Sequence, residues 1–257
     1  MFQIDFTGKT VLITGVTTGI GAGIAKMFTK AGANISGCAT SQSSGEFIQI
    51  LNDKAVRSIY TQCDVTVEED LKNLVKNTID KFGRIDVFVS NSGQNVFEGT
   101  INCDEQHWQK NINLNLASHW RLSKLCKPYL EKNNGVIIIM TSNHAFSTIP
   151  GCFPYNVAKT ALTGLVRSLA IEWGPEIRTV GIAPGFIDTP GNQKWFDSFP
   201  DPSIEKQRTI DLHPVKKMGS PEDIGAWCVF LASNYASFAS GVTYLIDGGR
   251  NALMQDQ

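Results

Sequence analysis

The chain has 257 residues, of which 42% are hydrophobic and 18% are charged, and its formal net charge is −1. This near-neutral balance excludes the strongly basic surface that binds nucleic acid or anionic membranes. No apolar run reaches the ~20 residues of a membrane span, and residues 1–8 carry no cationic, apolar leader. We therefore expect a cytoplasmic protein, folded as one domain over residues 1–257 because no linker divides the chain.

The first predicted strand, residues 10–15, runs directly into a glycine-rich turn. Gly15, Gly19 and Gly21 stand between this strand and an amphipathic helix. Glycines at such a turn let the backbone approach a phosphate, and the helix start offers unpaired N–H groups with a partial positive charge. The turn predicts a dinucleotide site, with plain strand-to-helix packing as the alternative.

The end of the second predicted strand, residues 34–39, bears on which dinucleotide fits. Folds that bind NAD place an acid there for the ribose 2′-hydroxyl, whereas this chain has Ala39. Thr40 and Ser41 offer hydroxyl and N–H groups that could bond a 2′-phosphate. The segment favours NADP, with use of NAD left open.

Strand-like and helix-like segments alternate along the whole chain without an internal repeat. The predicted strands are residues 10–15, 34–39, 58–65, 87–90, 135–142, 179–183 and 242–247. Because parallel neighbours need crossovers that are usually helical, this pattern predicts an α/β fold: a doubly wound, seven-stranded parallel sheet with helices on both faces. Residues 186–218, rich in Pro, Asp and Trp, exceed an ordinary connection and predict a short substrate-binding lid.

The cysteines do not form a recognisable framework. They are scattered, with no C-x-x-C pair, and occupy positions Cys38, Cys63, Cys103, Cys126, Cys152 and Cys228. This spacing indicates reduced residues rather than disulfides or a zinc site, and we expect no metal.

Three side chains late in the chain could carry out proton transfer. Tyr155 and Lys159 stand four residues apart and so share one face of a helix. A free phenol titrates near ~10, but a neighbouring ammonium favours the phenolate. Ser142 closes a predicted buried strand, at the edge where open α/β sheets bind ligands. A Tyr-x-x-x-Lys pair is also common on ordinary helices, so its context matters.

That context is a series of motifs spread in order over essentially the whole chain. They are Thr14-Gly15-x-x-x-Gly19-Ile20-Gly21, Asn91-Ser92-Gly93, Asn115, Ser142, Tyr155-x-x-x-Lys159 and Pro184-Gly185. Together they resemble the short-chain dehydrogenase/reductase family, with one departure: Ser92 stands where the family usually has alanine, and we expect the turn to survive. The resemblance implies a Rossmann-type fold, an NAD(P)-dependent oxidoreductase that interconverts alcohol and carbonyl by hydride transfer, and a homotetramer.

The resemblance also implies catalytic roles. Tyr155 would be the general acid/base, Lys159 would lower its pKa and hold the nicotinamide ribose, Ser142 would orient the substrate oxygen, and Asn115 would hold a proton-relay water. Asp64 and Val65 would contact adenine, with a strand end and a helix cap as their alternative role, and Thr189 would bond the carboxamide. The complete set of predicted cofactor contacts is Gly15, Thr17, Thr18, Gly19, Ile20, Gly21, Thr40, Ser41, Asp64, Val65, Asn91, Ser92, Gly93, Tyr155, Lys159, Pro184, Gly185, Ile187 and Thr189.

The side chains expected near the nicotinamide are mostly polar, and a buried amide without a partner costs ~1–3 kcal/mol. A sugar or polyol would satisfy them better than an acyl chain would. The predicted substrate contacts are Gln94, Asn95, Ser142, His144, Asn192 and Trp195. His144 could instead be structural, and Trp195 could belong to a small core of the lid.

Two other functions remain open from the sequence. The second-strand segment looks like that of bacterial 3-oxoacyl-carrier-protein reductases, although Thr18 replaces their basic residue in the glycine turn. Such an enzyme would need a basic surface near residues 186–218 to dock an acidic carrier. The remaining alternative is a cofactor-binding regulator without catalysis.

Overall fold

The computed structural model describes residues 3–52 and 57–253. Within them a single seven-stranded sheet forms, and the strands are β1 (Thr10–Thr14), β2 (Asn34–Ala39), β3 (Ser58–Gln62), β4 (Val87–Ser90), β5 (Val136–Met140), β6 (Arg178–Pro184) and β7 (Thr243–Ile246). The strand order is β3-β2-β1-β4-β5-β6-β7, and every pair of neighbours is parallel. The predicted doubly wound, seven-stranded sheet is confirmed.

Helices connect the strands, as parallel pairing requires. Their bounds are α1 (Gly19–Lys30), α2 (Ile48–Leu51), α3 (Glu68–Phe82), α4 (Glu105–Ile112), α5 (Ser118–Glu131), α6 (Tyr155–Trp173), α7 (Pro190–Phe196), α8 (Pro202–Asp211) and α9 (Pro221–Ala232). A π-helical turn, Asn113–Ala117, joins α4 to α5. Short 3₁₀ turns lie at Gly45–Phe47, Asn143–Ala145, Asn234–Ala236 and Arg250–Ala252.

Both faces of the sheet are covered by helices. Because successive side chains of a strand point to opposite faces, each central strand contributes to two separate cores. Val11 and Ile13 of β1 face a core that includes Ile24 and Phe28 of α1. Leu12 faces a second core, formed with residues of α3, α5 and α6. All five residues of β1 are buried, and its three central residues are apolar, as expected of a strand covered on both faces.

Two strands, β3 and β5, end more than one residue earlier than the sequence predicts. The predicted strand over residues 58–65 stops at Gln62, because Asp64 turns the chain: its N–H donates to the Asp70 carboxylate at 2.8 Å and its own carboxylate accepts from Thr66. The predicted strand over residues 135–142 stops at Met140, since Ser142 caps the following 3₁₀ turn. In both places a polar side chain bonds the local backbone and replaces the ladder.

Residues 186–218 contain two helices, α7 and α8. An aromatic cluster holds the first of them: the Trp195 ring lies 5.6 Å from Phe186, 5.2 Å from Phe196 and 4.7 Å from Phe199, between centroids. Phe196 is buried, while Trp195 is 40% exposed. The segment therefore has a small apolar core of its own, and its role as a lid stays a prediction.

The structure also bears on the expectations for membrane spans, metal sites and cysteines. Over residues 3–52 and 57–253, no helix is both long and apolar enough to cross a bilayer. The same residues hold no group of three or more His, Cys, Asp or Glu side chains suited to a metal ion. Cys103 is half-buried and the other five cysteines are buried, as expected of core residues.

Candidate active site

The glycine turn between β1 and α1 is built by close backbone contact. Gly15 has a φ of 72°, in the left-handed region that favours glycine. A Cβ at Gly21 would lie 2.0 Å from the Gly15 carbonyl oxygen, so the helix start is pressed against the strand end. Thr18 is the N-cap of α1, and its side chain makes no cap bond in the described structure. The first N–H groups of α1 are thus free of a side-chain cap, which suits a pyrophosphate.

The ends of β1 and β4 are tied together where the strand order reverses. The Thr14 hydroxyl accepts hydrogen bonds from the N–H groups of Asn91 and Ser92, both at 2.9 Å. The Asn91 amide donates to the Thr14 carbonyl at 2.8 Å. The turn therefore forms with serine at position 92, at the crevice where doubly wound sheets bind ligands.

Gly93, Asn115 and Lys159 meet below this turn. A Cβ at Gly93 would lie 2.8 Å from Asn115 Oδ1 and 3.3 Å from Lys159 Nζ. Asn115 lies in the π-helical turn, an irregularity that is frequent at functional sites. Its Nδ2 donates to Gln94 O and to Asn111 Oδ1, both at 2.9 Å, and its Oδ1 accepts from Gln94 N at 3.0 Å. A water held by Asn115 would therefore need the second lone pair of Oδ1 or the backbone carbonyl.

Tyr155 and Ser142 come together although they lie on different elements. Tyr155 is the first residue of α6 and is 9% exposed. Ser142 follows β5, and its hydroxyl accepts from His144 N at 3.2 Å. Burial raises the pKa of Tyr155 to about 12, and the neighbouring Ser142 hydroxyl lowers it by a smaller amount. The phenol is therefore held in its protonated form at neutral pH.

Lys159 is buried one turn further along α6. Its Nζ donates to the Met140 carbonyl at 3.0 Å and lies 5.6 Å from the centroid of the Tyr155 ring. Burial lowers its pKa to about 8. Desolvation is the main cause of the raised pKa of the Tyr155 phenol, and the lowering of that pKa by Lys159 stays a prediction.

The rings of Phe97 and His144 lie beside Tyr155. Phe97 is 44% exposed, and its ring packs edge-on against Tyr155 at 5.4 Å and lies 6.0 Å from the ring of His144. His144 in turn lies 6.0 Å from Tyr155, and its Nδ1 lies 3.0 Å from the Thr148 hydroxyl oxygen. Sequence reasoning missed Phe97, because a lone aromatic residue in an irregular segment gives no periodic signal.

The other predicted substrate residues are only partly gathered here. Gln94 and Asn95 are exposed after the Asn-Ser-Gly turn. Asn192, by contrast, donates its amide to Ile187 O at 2.7 Å, and Trp195 belongs to the aromatic cluster of residues 186–218. The last two side chains are engaged within their own segment.

Residues after β6 lie against the glycine turn. Thr189 is the N-cap of α7, and its Cγ2 is 3.2 Å from the place of a Cβ at Gly19. Pro184 ends β6, and a Cβ on the next residue, Gly185, would come within 2.6 Å of Asp247. Ile187 is buried. The segment thus closes over the start of α1, an arrangement that fits a dinucleotide bound between them.

The predicted adenosine end is less well defined. Asp64 bonds Thr66, and Val65 is buried in the second core. The alternative roles given above differ from these, because β3 ends at Gln62 and the N-cap of α3 is Val67. Thr40 and Ser41 are exposed beyond β2. Thr17 O accepts from Glu46 N at 2.9 Å, so a residue with an acidic side chain is tied to the glycine turn.

Comparisons with known proteins agree with this geometry. A family model described as "Enoyl-(Acyl carrier protein) reductase" matches residues 15–251. L-fucose dehydrogenase of Oryctolagus cuniculus is 35% identical over 247 residues, which cover 95% of this chain and 85% of that protein.

Two solved structures are also similar. L-sorbose reductase of Gluconobacter frateurii, complexed with NADPH and L-sorbose, has a TM-score of 0.93 at 29% identity and covers 98% of this chain and 100% of that one. A 7α-hydroxysteroid dehydrogenase complexed with NADH and 7-oxo glycochenodeoxycholic acid has a TM-score of 0.88 at 32% identity, covering 97% and 98%. The sheet, the site and these matches agree, and the chain belongs to the short-chain dehydrogenase/reductase family, as an NAD(P)-dependent oxidoreductase that acts on CH–OH groups.

Proposed function

We propose that this enzyme oxidises a hydroxyl group of a sugar or sugar derivative, in the manner of an aldose 1-dehydrogenase, with Tyr155 as the general acid/base. The observation that carries the proposal is the buried pair of Tyr155 and Ser142 at the carboxyl edge of the sheet, with Lys159 beneath them. An exposed tyrosine without such neighbours would not be held for proton transfer. General acid/base catalysis of this kind is worth ~10²–10⁴-fold.

In the proposed reaction each side chain acts on one atom. Bound nicotinamide dinucleotide accepts or supplies the hydride. Tyr155 Oη exchanges the proton with the substrate oxygen, and the Ser142 hydroxyl holds that oxygen and the phenol in line. Because burial keeps Tyr155 protonated, its phenol can donate a proton to the carbonyl oxygen during reduction. Alcohol oxidation needs the phenolate as the base and is therefore favoured by higher pH.

The side chains beside Tyr155 support a sugar as substrate. Phe97 offers an apolar face on which a sugar ring can pack, and His144 offers a ring nitrogen for a hydroxyl. Among the similar proteins, one is named for L-fucose and another holds L-sorbose. These names belong to those proteins, and they support the same substrate class here.

For the nucleotide we propose NADP, with NAD as a second cofactor. The support is the absence of an acid at Ala39 and the exposed hydroxyl groups of Thr40 and Ser41. Ala39→Asp should shift the preference towards NAD, because the carboxylate repels a 2′-phosphate and bonds a 2′-hydroxyl. Isothermal titration of both nucleotides tests this, and tighter binding of NAD by the unmodified enzyme would contradict it.

A second candidate is a reductase of carrier-bound 3-oxoacyl groups, since the matching family model is described by an acyl-carrier-protein substrate. The cations of residues 186–218 that could dock such a carrier are Lys194, Lys206, Arg208, Lys216 and Lys217, and three of them lie beside acids. Arg208 is paired with Glu205 at 2.7 Å, Lys217 with Asp223 at 3.3 Å, and Lys206 lies 3.9 Å from Asp188. These pairs weaken the positive field that an acidic carrier would need.

The regulator without catalysis is disfavoured by the Ser142, Tyr155 and Lys159 set. Cytoplasmic location, assembly as a homotetramer and the lid over residues 186–218 stay proposals.

The decisive experiment is a substrate panel. Neutral sugars, sugar acids and 3-oxoacyl thioesters are each assayed with NAD(H) and NADP(H) in the direction that each allows. Turnover of at least one sugar or sugar acid with negligible thioester reduction is expected, and the opposite pattern would refute the proposal.

A further inference from the structure

Arg178 and Arg250 are both half-buried, and they differ in how their guanidinium groups are used. Arg178, at the start of β6, donates to the carbonyls of Ala239 and Leu231 at 2.9 Å and of Ser233 at 3.3 Å. Arg250 follows β7, and among the described residues none forms a hydrogen bond or an ion pair with its guanidinium. A half-buried group with five N–H donors needs acceptors. The described residues supply acceptors to Arg178 but not to Arg250, so the acceptors of Arg250 come from solvent or from a ligand.

The carboxylates near Arg250 are already engaged. Asp247 accepts from Gly249 N at 3.0 Å and from Asn251 N and Nδ2 at 2.8 and 2.7 Å. Glu205 accepts two bonds from Arg208, at 2.7 and 2.9 Å. Both acids raise the pKa of Arg250, but its burial dominates and lowers that pKa. Both carboxylates thus accept hydrogen bonds from other donors, and neither accepts one from the guanidinium of Arg250.

The turn that carries Arg250 is closely packed and lies at the carboxyl edge of the sheet. Gly248 and Gly249 have φ values of 63° and 84°, and side chains added there would meet His213 at 3.3 Å and Pro214 at 3.1 Å. Asp247 packs on Gly185, at the end of the neighbouring strand. The positive charge of Arg250 lowers the pKa of His144, after the larger effect of burial. Because β5 and β7 are parallel strands of one sheet, Arg250, which follows β7, stands at the same edge as Ser142 and His144, which follow β5.

We infer that Arg250 binds the carboxylate of the substrate, which would make that substrate a sugar acid, such as a uronic or aldonic acid, rather than a neutral sugar. The inference rests on the proposed function, because it names the substrate class of the same site. A guanidinium and a carboxylate match as a planar, two-bond pair. Arg208, the neighbouring cation, is paired with Glu205, which leaves Arg250 as the guanidinium without a partner among the described residues. A phosphate dianion would find too little positive charge here.

The test compares acids with neutral sugars that differ only at the charged group. The kcat/KM values for galacturonate and gluconate are measured against those for galactose and glucitol, with wild type, Arg250→Gln and Arg250→Lys. Wild type should prefer the acids, and Arg250→Gln should lower kcat/KM for the acids by about 10- to 100-fold, the loss expected for a charge-assisted hydrogen bond. Neutral sugars should change by less than about threefold, and Arg250→Lys should keep part of the preference.

The matched control is Arg57→Gln. Arg57 precedes β3, at the opposite edge of the sheet, and donates to Lys81 O at 2.7 Å. It should leave the preference between acid and neutral sugar unchanged. A phosphorylated sugar used as well as the acids, and affected equally by Arg250→Gln, would overturn the choice of a carboxylate.

A binding measurement separates this inference from the proposed function. The rise in melting temperature caused by galacturonate or gluconate is recorded for enzyme saturated with reduced dinucleotide, a complex that cannot oxidise a sugar. A rise that Arg250→Gln abolishes, without turnover in the active complex, would refute the proposed function and keep the inference. Turnover of neutral sugars with no preference for acids, or equal losses on both classes, would overturn the inference alone. No binding and no turnover of either class would overturn both.

Discussion

Lys159 should make the protein less stable than a variant without its charge. An ordinary lysine titrates at 10.5, whereas burial lowers the pKa of Lys159 to about 8. This difference corresponds to about 3 kcal/mol at neutral pH, where both the folded and the unfolded chain carry the proton. In Lys159→Met an unbranched apolar side chain fills the same space, and this cost disappears. The lost bond to Met140 O offsets about 1–2 kcal/mol of the gain.

We therefore expect Lys159→Met to be inactive but more stable, by about 1–2 kcal/mol, which is a rise in Tm of roughly 2–8 °C for a chain of this size. The pH dependence identifies the cause. Since the unfolded chain binds this proton more tightly, the stability of wild type rises as pH increases from about 8 to 10.5. The advantage of the variant should be full below pH 8 and shrink across that window.

The measurement is thermal unfolding of both proteins without nucleotide, at equal concentration, at pH 7 and pH 10. Lys110→Met is the control, because Lys110 is exposed in the last turn of α4 and its loss should change stability by no more than about 0.5 kcal/mol. The reasoning is refuted if Lys159→Met melts below wild type at pH 7, or if the difference is the same at both pH values.

Three further predictions concern the site. Tyr155→Phe should keep nucleotide binding and lose at least nine-tenths of kcat. In wild type, kcat/KM for alcohol oxidation should rise with pH, because burial raises the pKa of this phenol to about 12. A flat pH profile of wild type from pH 6 to 10 would contradict the assignment of Tyr155 as the general base. Gly21→Ala should melt well below wild type, because its Cβ would lie 2.0 Å from Gly15 O. The control is Gly164→Ala, which has no atom within 4 Å of the new Cβ and should raise the free energy of unfolding by about 0.5–1 kcal/mol. Similar melting temperatures of the two variants would contradict the close contact at Gly21. His144→Ala should lower kcat/KM for the sugar by an amount corresponding to about 1–3 kcal/mol without changing nucleotide affinity, as steady-state kinetics and titration would show.

Much of the fold could be predicted because its signals are local. The runs that form β1 and β5 are buried on both faces and are therefore apolar at nearly every position. Strand ends were harder to predict, since Asp64 and Ser142 end their strands through side-chain bonds that depend on the folded neighbourhood. The π-helical turn has no counterpart in helical periodicity at all.

The candidate site divides in the same way. Tyr155 and Lys159 lie on one helix, so their spacing alone places them together. Phe97 and Arg250 come from irregular segments far apart in the chain, and only tertiary packing brings them towards His144. The protonation of Tyr155 could not be predicted from the pair either, because it is decided by how completely the phenol is buried.

The π-helical turn at Asn113–Ala117 makes the helical stretch from α4 to α5 sensitive to changes of length. Each residue of a helix turns the chain by about 100°. Removing one residue from this turn would restore a regular helix, but it would rotate either Asn115 away from Gln94 or the buried face of α5, with Leu122 and Cys126, out of the core. A substitution in this turn keeps the length of the helical stretch. A single-codon deletion, in contrast, disrupts either the packing of α5 in the core or the position of Asn115 in the site.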